Sequence, residues 1–118
     1  MADKQKYMSW LDEHAGIFSD ISDKIWEYAE LSLMEYRSCE LYVTKLKEMG
    51  FEVESPLAGV QTGFKATYGS GRPVIGILAE YDALTGLCPV AGATHREGLV
   101  KNGSGHGCEH IMLGARAM

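Results

Sequence analysis

Little in this chain points to a membrane, a nucleic acid or a disulfide scaffold. No apolar run approaches the roughly 20 residues needed to span a bilayer. The opening Met1-Ala2-Asp3-Lys4-Gln5-Lys6 is polar and has no apolar signal-peptide core. Positive charge is in deficit: 11 Lys and Arg against 16 Asp and Glu leave a net charge of −5. That balance argues against nucleic acid or an anionic membrane surface as partner. Cysteine is scarce and odd in number, three in all, with no framework spacing. A reducing compartment suits it better than a disulfide scaffold, so the expected location is the cytoplasm. Internal repeats and low-complexity tracts are missing. So is a phosphate loop, because Gly69-Ser70-Gly71 is too short and does not lead from a strand into a helix.

What is present is ordinary globular material. At 118 residues, 46% hydrophobic and 23% charged, the chain is one domain at most and long enough for a modest core. From about residue 9 to 30 the apolar Trp10, Ile17, Phe18, Ile21, Ile25, Trp26 and Ala29 recur in three- and four-residue steps. This is one face of an amphipathic helix, with a break expected near Gly16. A second helix is expected over residues 38–49, with Gly50 as its left-handed stop and Phe51 as the apolar contact behind it. The period then changes to two. Residues 51–54 and 63–68 alternate as half-buried strands, and the continuously apolar residues 74–79 read as a strand covered on both faces. Residues 84–105 form a long glycine-rich loop, and helical character returns from Ile111 to the last residue. The order predicts an α/β unit: two helices, a small mixed sheet, then the start of a third helix.

The chemistry-bearing residues gather in two places. Glu80 and Asp82 leave the end of the expected buried strand, where open α/β sheets collect their functional groups. Two residues apart, they share a face and could act as ligand, as orienter of a metal-bound histidine or as an acid/base pair. They could equally be strand-end carboxylates in water. The second place is the run from Asn102 to His110, which sets His106, Cys108 and His110 at two-residue spacing among glycines. Imidazole and thiolate are good ligands for zinc-like ions. An extended backbone would aim all three the same way, although glycine-rich loops also use histidines simply to bond neighbouring carbonyls. Of the remaining cysteines, Cys39 reads as a packed small hydrophobe and Cys88 as a loop residue.

Residues 73–87 together with residues 105–110 resemble the M20 family of metal-dependent amidohydrolases, in particular the branch acting on aminobenzoyl amino acids. The resemblance extends over nearly the whole chain from about Phe18. It implies the N-terminal part of a zinc-peptidase-like catalytic domain spanning residues 1–118. The implied activity is hydrolysis of amide bonds in N-acyl or aminobenzoyl amino acids, with zinc or manganese in a dinuclear centre. Carried onto this sequence, Cys108 and His110 match two metal ligands. Asp82 matches the acidic catalytic-site residue that follows the strand and supports the metal, and Glu80 stands where other branches place a ligand histidine. The family's general-base glutamate pair and remaining ligands have no counterpart here, so a fragment inactive by itself is expected. The alternative is a small metal-binding or interaction fragment without catalysis. Glu109 replaces a family glycine and would be strained if that residue needs positive φ. An incomplete sheet also leaves edges free, so self-association through them is expected.

Overall fold

A computed structural model describes residues 3–95 and 97–118; Met1, Ala2 and Arg96 lie outside the description. Five elements follow in the order α1 (Lys4–Tyr28), α2 (Tyr36–Glu48), β1 (Glu52–Glu54), β2 (Lys65–Thr67) and α3 (His110–Ala117). The fold is α/β, as the pattern of periods predicts.

The first helix starts earlier than its apolar face indicates and runs through Gly16 without a break. Asp3 supplies the reason for the start, since its side chain accepts a hydrogen bond from the Gln5 amide and satisfies one of the free N–H groups of the first turn. A single interior glycine costs about 1 kcal/mol relative to alanine, too little to interrupt 25 residues. The helix stops where Ala29 turns into the left-handed region at φ 45, its amide still bonding to the Ile25 carbonyl.

The second helix is held at both ends by groups from outside it. Glu30 reaches forward, and its carboxylate accepts from the amides of Arg37 (3.0 Å) and Ser38 (2.9 Å) and from the Ser38 hydroxyl (2.8 Å). A charged acceptor at a helix N-terminus also meets the positive end of the dipole. At the other end Gly50 takes φ 90, its amide bonds to the Lys47 carbonyl, and the Phe51 amide bonds to Leu46. This is the left-handed glycine stop the sequence predicts. After β1 the chain turns back through residues 55–64 and brings β2 antiparallel to β1, with Glu52 opposite Thr67, Val53 opposite Ala66 and Glu54 opposite Lys65.

Ile21 and Ile25 of α1 meet Tyr42 and Leu46 of α2 in the core, flanked by Phe51, Phe64, Tyr81 and Ile111. Four-residue spacing on each helix places both pairs on facing stripes. Tyr42 is 1% exposed, and burial pushes its hydroxyl pKa up to about 12. Gly114 lets α3 settle on that ring, since a Cβ there would collide with the Tyr42 hydroxyl.

Residues 74–79 depart from expectation. They form no strand and are not covered: Val74, Ile75, Ile77 and Leu78 are 79%, 83%, 71% and 92% exposed. A strand buried on both faces needs a sheet neighbour and a layer on each side. The described sheet has two strands, and neither pairs with this run. The sheet is accordingly antiparallel throughout rather than mixed.

Candidate functional site

Residues 72–82 form a strap after β2 that is pinned at its far end. The Tyr81 hydroxyl donates to the Thr62 carbonyl, and the Ala83 amide donates to the Glu30 carbonyl at 2.8 Å. Asp82 therefore sits between two anchored neighbours. Beyond it, Leu84 and Gly105 exchange both backbone hydrogen bonds, at 2.9 and 3.0 Å, folding the glycine-rich segment back beside the strap. Only glycine fits at 105, because a Cβ would run into the Leu87 carbonyl.

The returning segment is then fastened to the end of α1. The Ser104 hydroxyl donates to the Ala29 carbonyl at 2.6 Å, and His106 Nε2–H donates to the Ile25 carbonyl at 3.0 Å. Both carbonyls belong to the last turn of α1 or its cap, and the Ile25 oxygen, which already accepts from the Ala29 amide, takes the imidazole on its second lone pair. His106 thus serves the backbone rather than aligning with Cys108 and His110. Burial lowers its pKa; His110 adds to that effect, while the Ile25 carbonyl and Asp82 oppose it. The ring is held neutral, and its Nδ1 is a buried acceptor without a partner among the described residues.

Glu109 next takes φ 62 and ψ 10, the strained left-handed geometry expected if a glycine position is filled by another residue. That turn starts α3 and carries His110 to the first helical position. There His110 Nδ1 meets Asp82 Oδ1 at 2.8 Å, and Nε2 meets Glu80 Oε2 at 3.2 Å. The His110 and Asp82 side chains are 17% and 21% exposed, whereas Glu80 is 56% exposed. Glu80, Asp82 and His110 thereby offer one ligand atom each within 4.8 Å of one another.

This geometry carries a chemical demand. A neutral imidazole has one N–H, so it can donate to one carboxylate while its other nitrogen turns a lone pair toward the second. A cation on the Nε2 side would let Glu80 engage the ring while Asp82 accepts from Nδ1–H. An imidazole nitrogen and carboxylate oxygens are suitable donors for zinc or manganese. Asp82 on Nδ1 is the contact that fixes the orientation of a metal-binding histidine. The residues fit a divalent ion.

Of the sequence-predicted site residues, Asp82 and His110 are in contact. Cys108 is exposed and is not one of the group of three. Glu80, singled out in the sequence without a settled role, is the second carboxylate on the imidazole. Its two-residue spacing from Asp82 was the legible signal. An open groove of about 1470 Å³ adjoins the three residues, with Tyr42, Phe64 and Tyr81 among its walls. Those three rings lie 5.4 to 6.2 Å apart, centroid to centroid. No described helix is long and apolar enough to cross a membrane.

No family model matches the sequence. The chain is 36% identical over 116 residues to a subunit of the p-aminobenzoyl-glutamate hydrolase of Escherichia coli (strain K12), a match covering 98% of this chain and 22% of that protein. It therefore spans about a fifth of the length of that relative. The similarity relates the chain to one part of a larger hydrolase polypeptide.

Proposed function

We propose that this chain supplies part of the metal centre of an M20-type amidohydrolase acting on N-acyl or aminobenzoyl amino acids. The observation that carries the reading is the double carboxylate contact of His110, 2.8 Å to Asp82 and 3.2 Å to Glu80. His110 and Glu80 would hold zinc or manganese, Cys108 is the thiolate ligand added by the M20 resemblance, and Asp82 keeps the imidazole oriented. A bound divalent ion would activate water and polarise the scissile carbonyl. In the family reading the complete centre is dinuclear, and these residues make one side of it. The aromatic walls of the groove suit the aryl part of an aminobenzoyl amide. Three unpaired cysteines support a reducing, cytoplasmic setting.

Metal binding without turnover is the expected behaviour of the 118 residues alone. A metal-activated water still needs a base to take its proton. Glu80 and Asp82, the carboxylates of the group, are both engaged with His110. The second reading, a non-catalytic metal-binding module, rests on that engagement.

Zinc titration by calorimetry tests the assignment. The chain should bind zinc, His110→Ala should abolish binding, and Asp82→Asn should weaken it roughly 10- to 100-fold, as loss of a metal-orienting contact does. Absence of binding, or binding indifferent to His110→Ala, rejects the centre. Cys108→Ala decides whether the thiolate joins the carboxylates. Hydrolysis of p-aminobenzoyl-glutamate by the chain alone, lost in His110→Ala, would overturn the expectation of no turnover.

A further inference from the structure

Both arms of the candidate centre are tied to one place, the last turn of α1 and the residues just after it. On the first arm, next to Asp82, the Ala83 amide donates to the Glu30 carbonyl at 2.8 Å. On the second, the Ser104 hydroxyl donates to the Ala29 carbonyl at 2.6 Å and His106 Nε2–H to the Ile25 carbonyl at 3.0 Å. Leu84 and Gly105 exchange both backbone hydrogen bonds and lock the arms to each other. After His106 the second arm runs free. Gly107, Cys108 and Glu109 are exposed, and none of their amides bonds to an acceptor among the described residues. Packing alone does not account for an imidazole at 106. Its Nδ1 is buried with no partner among the described residues, an unfavourable state that an apolar side chain of similar size would avoid. What the ring adds is its other edge, a rigid N–H that reaches a carbonyl 81 residues away.

We infer that His106 is a positioning residue for His110: its bond to the Ile25 carbonyl fixes where the turn at Glu109 begins, and so brings the His110 imidazole onto Asp82. The purpose of that placement rests on the metal-centre reading. The contact it explains, 2.8 Å from His110 Nδ1 to Asp82 Oδ1, lies within the chain itself. Asp82 and His110 are 28 residues apart, and the shared anchor on α1 relates their arms. The body of α3 has holds of its own: the Ser22 hydroxyl donates to the Met112 sulfur at 3.6 Å, and Gly114 lies against the Tyr42 ring. His110, however, stands at the first helical position. Amides there have no intrahelical acceptors, and Glu109 adds no side-chain cap, so the entering segment decides the aim of the ring.

Imidazole nitrogen NMR of His110, with chelator present and at a pH that keeps the ring neutral, tests the role alongside zinc calorimetry and urea unfolding. In the wild type the proton should sit on Nδ1, held there by Asp82. His106→Leu fills the space without an N–H. It should shift the His110 ring toward the Nε2–H tautomer and weaken zinc binding roughly tenfold, the scale on which partners behind a ligand act. His106→Gln, which can present an amide N–H to the same carbonyl, should restore both. A merely structural role would lower the urea midpoint of His106→Leu and leave the ring tautomer and zinc affinity of the folded chain unchanged. That result overturns the inference, as does a His106→Gln variant no better than His106→Leu. Should His106→Leu not fold, Ser104→Ala decides by the same two readouts: a smaller change in the same direction supports the inference, and no change rejects it. A wild type that binds no zinc rejects the metal centre. The positioning role then stands or falls separately on the ring tautomer, and a wild-type His110 with its proton on Nε2 rejects it.

Discussion

The stretch from α2 into β1 and the strap of residues 72–82 carry equally strong apolar signals and meet opposite fates. In the first, Tyr42 and Leu46 are 1% and 4% exposed; in the second, Leu78 is 92% exposed. The difference lies in where each element's partners are. Tyr42 and Leu46 find Ile21 and Ile25 on the preceding helix, and the helix itself needs only its own hydrogen bonds. A strand has no internal hydrogen bonds, so an apolar run of strand type stays open until another strand reaches it. Apolar pattern states what a segment can bury; topology decides whether it does.

The sharpest way to break the comparison is to truncate one side chain from each region. Ile25→Ala removes a side chain that is 0% exposed from between two helices and should cost about 2–5 kcal/mol. Ile77→Ala should change stability by less than about 0.5 kcal/mol, because the side chain is already in water. Urea unfolding measures both. Similar losses at the two sites would mean that the strap is buried in solution.

The same contrast explains what the sequence made legible. Gly50 followed by Phe51 announces the end of α2 because the stop uses only neighbouring residues. Glu109 is different: only the family resemblance, which places a glycine there, marked it as a strained position. The Asp82–His110 contact spans 28 residues, and residue types marked its members without giving its geometry. The orientation of His106 toward the Ile25 carbonyl, 81 residues away, had no specific sequence signal, and neither did the exposure of residues 74–79. Both depend on which elements lie alongside, and periodicity carries no information about that.

A middle-sized effect is expected at Glu30, where the helix that packs so well is tied to the loop before it. Burial alone would raise this carboxyl's pKa, but the hydrogen bonds from Ser38 and Arg37 outweigh burial and hold it below the ordinary 4.5. Glu30→Gln should cost about 1–2 kcal/mol near neutral pH, the scale of a lost helix cap. The pH dependence has a definite sign. The folded-state pKa is depressed, so the contribution is complete above about pH 4.5 and is lost as pH falls through the folded value. Unfolding midpoints of the wild type and Glu30→Gln should therefore converge on acidification below pH 4.5. A gap that stays constant down to the acid limit would assign the effect to packing instead of charge.

The smallest expected change is a gain, and it lies on the strap's side of the molecule. Glu109 adopts φ 62 with no side-chain hydrogen bond to the helix it begins, so its side chain brings strain without capping. Glycine adopts that geometry freely but loses more backbone entropy on folding, which offsets part of the relief. Glu109→Gly should stabilise by about 0.5–1 kcal/mol, read as a raised urea midpoint with an unchanged slope. Because the turn at 109 also aims His110 at Asp82, the variant separates two roles of this residue. If zinc affinity stays constant while stability rises, the left-handed turn alone positions the imidazole and the glutamate side chain is dispensable. If affinity falls, the carboxylate of Glu109 acts on the centre through its charge.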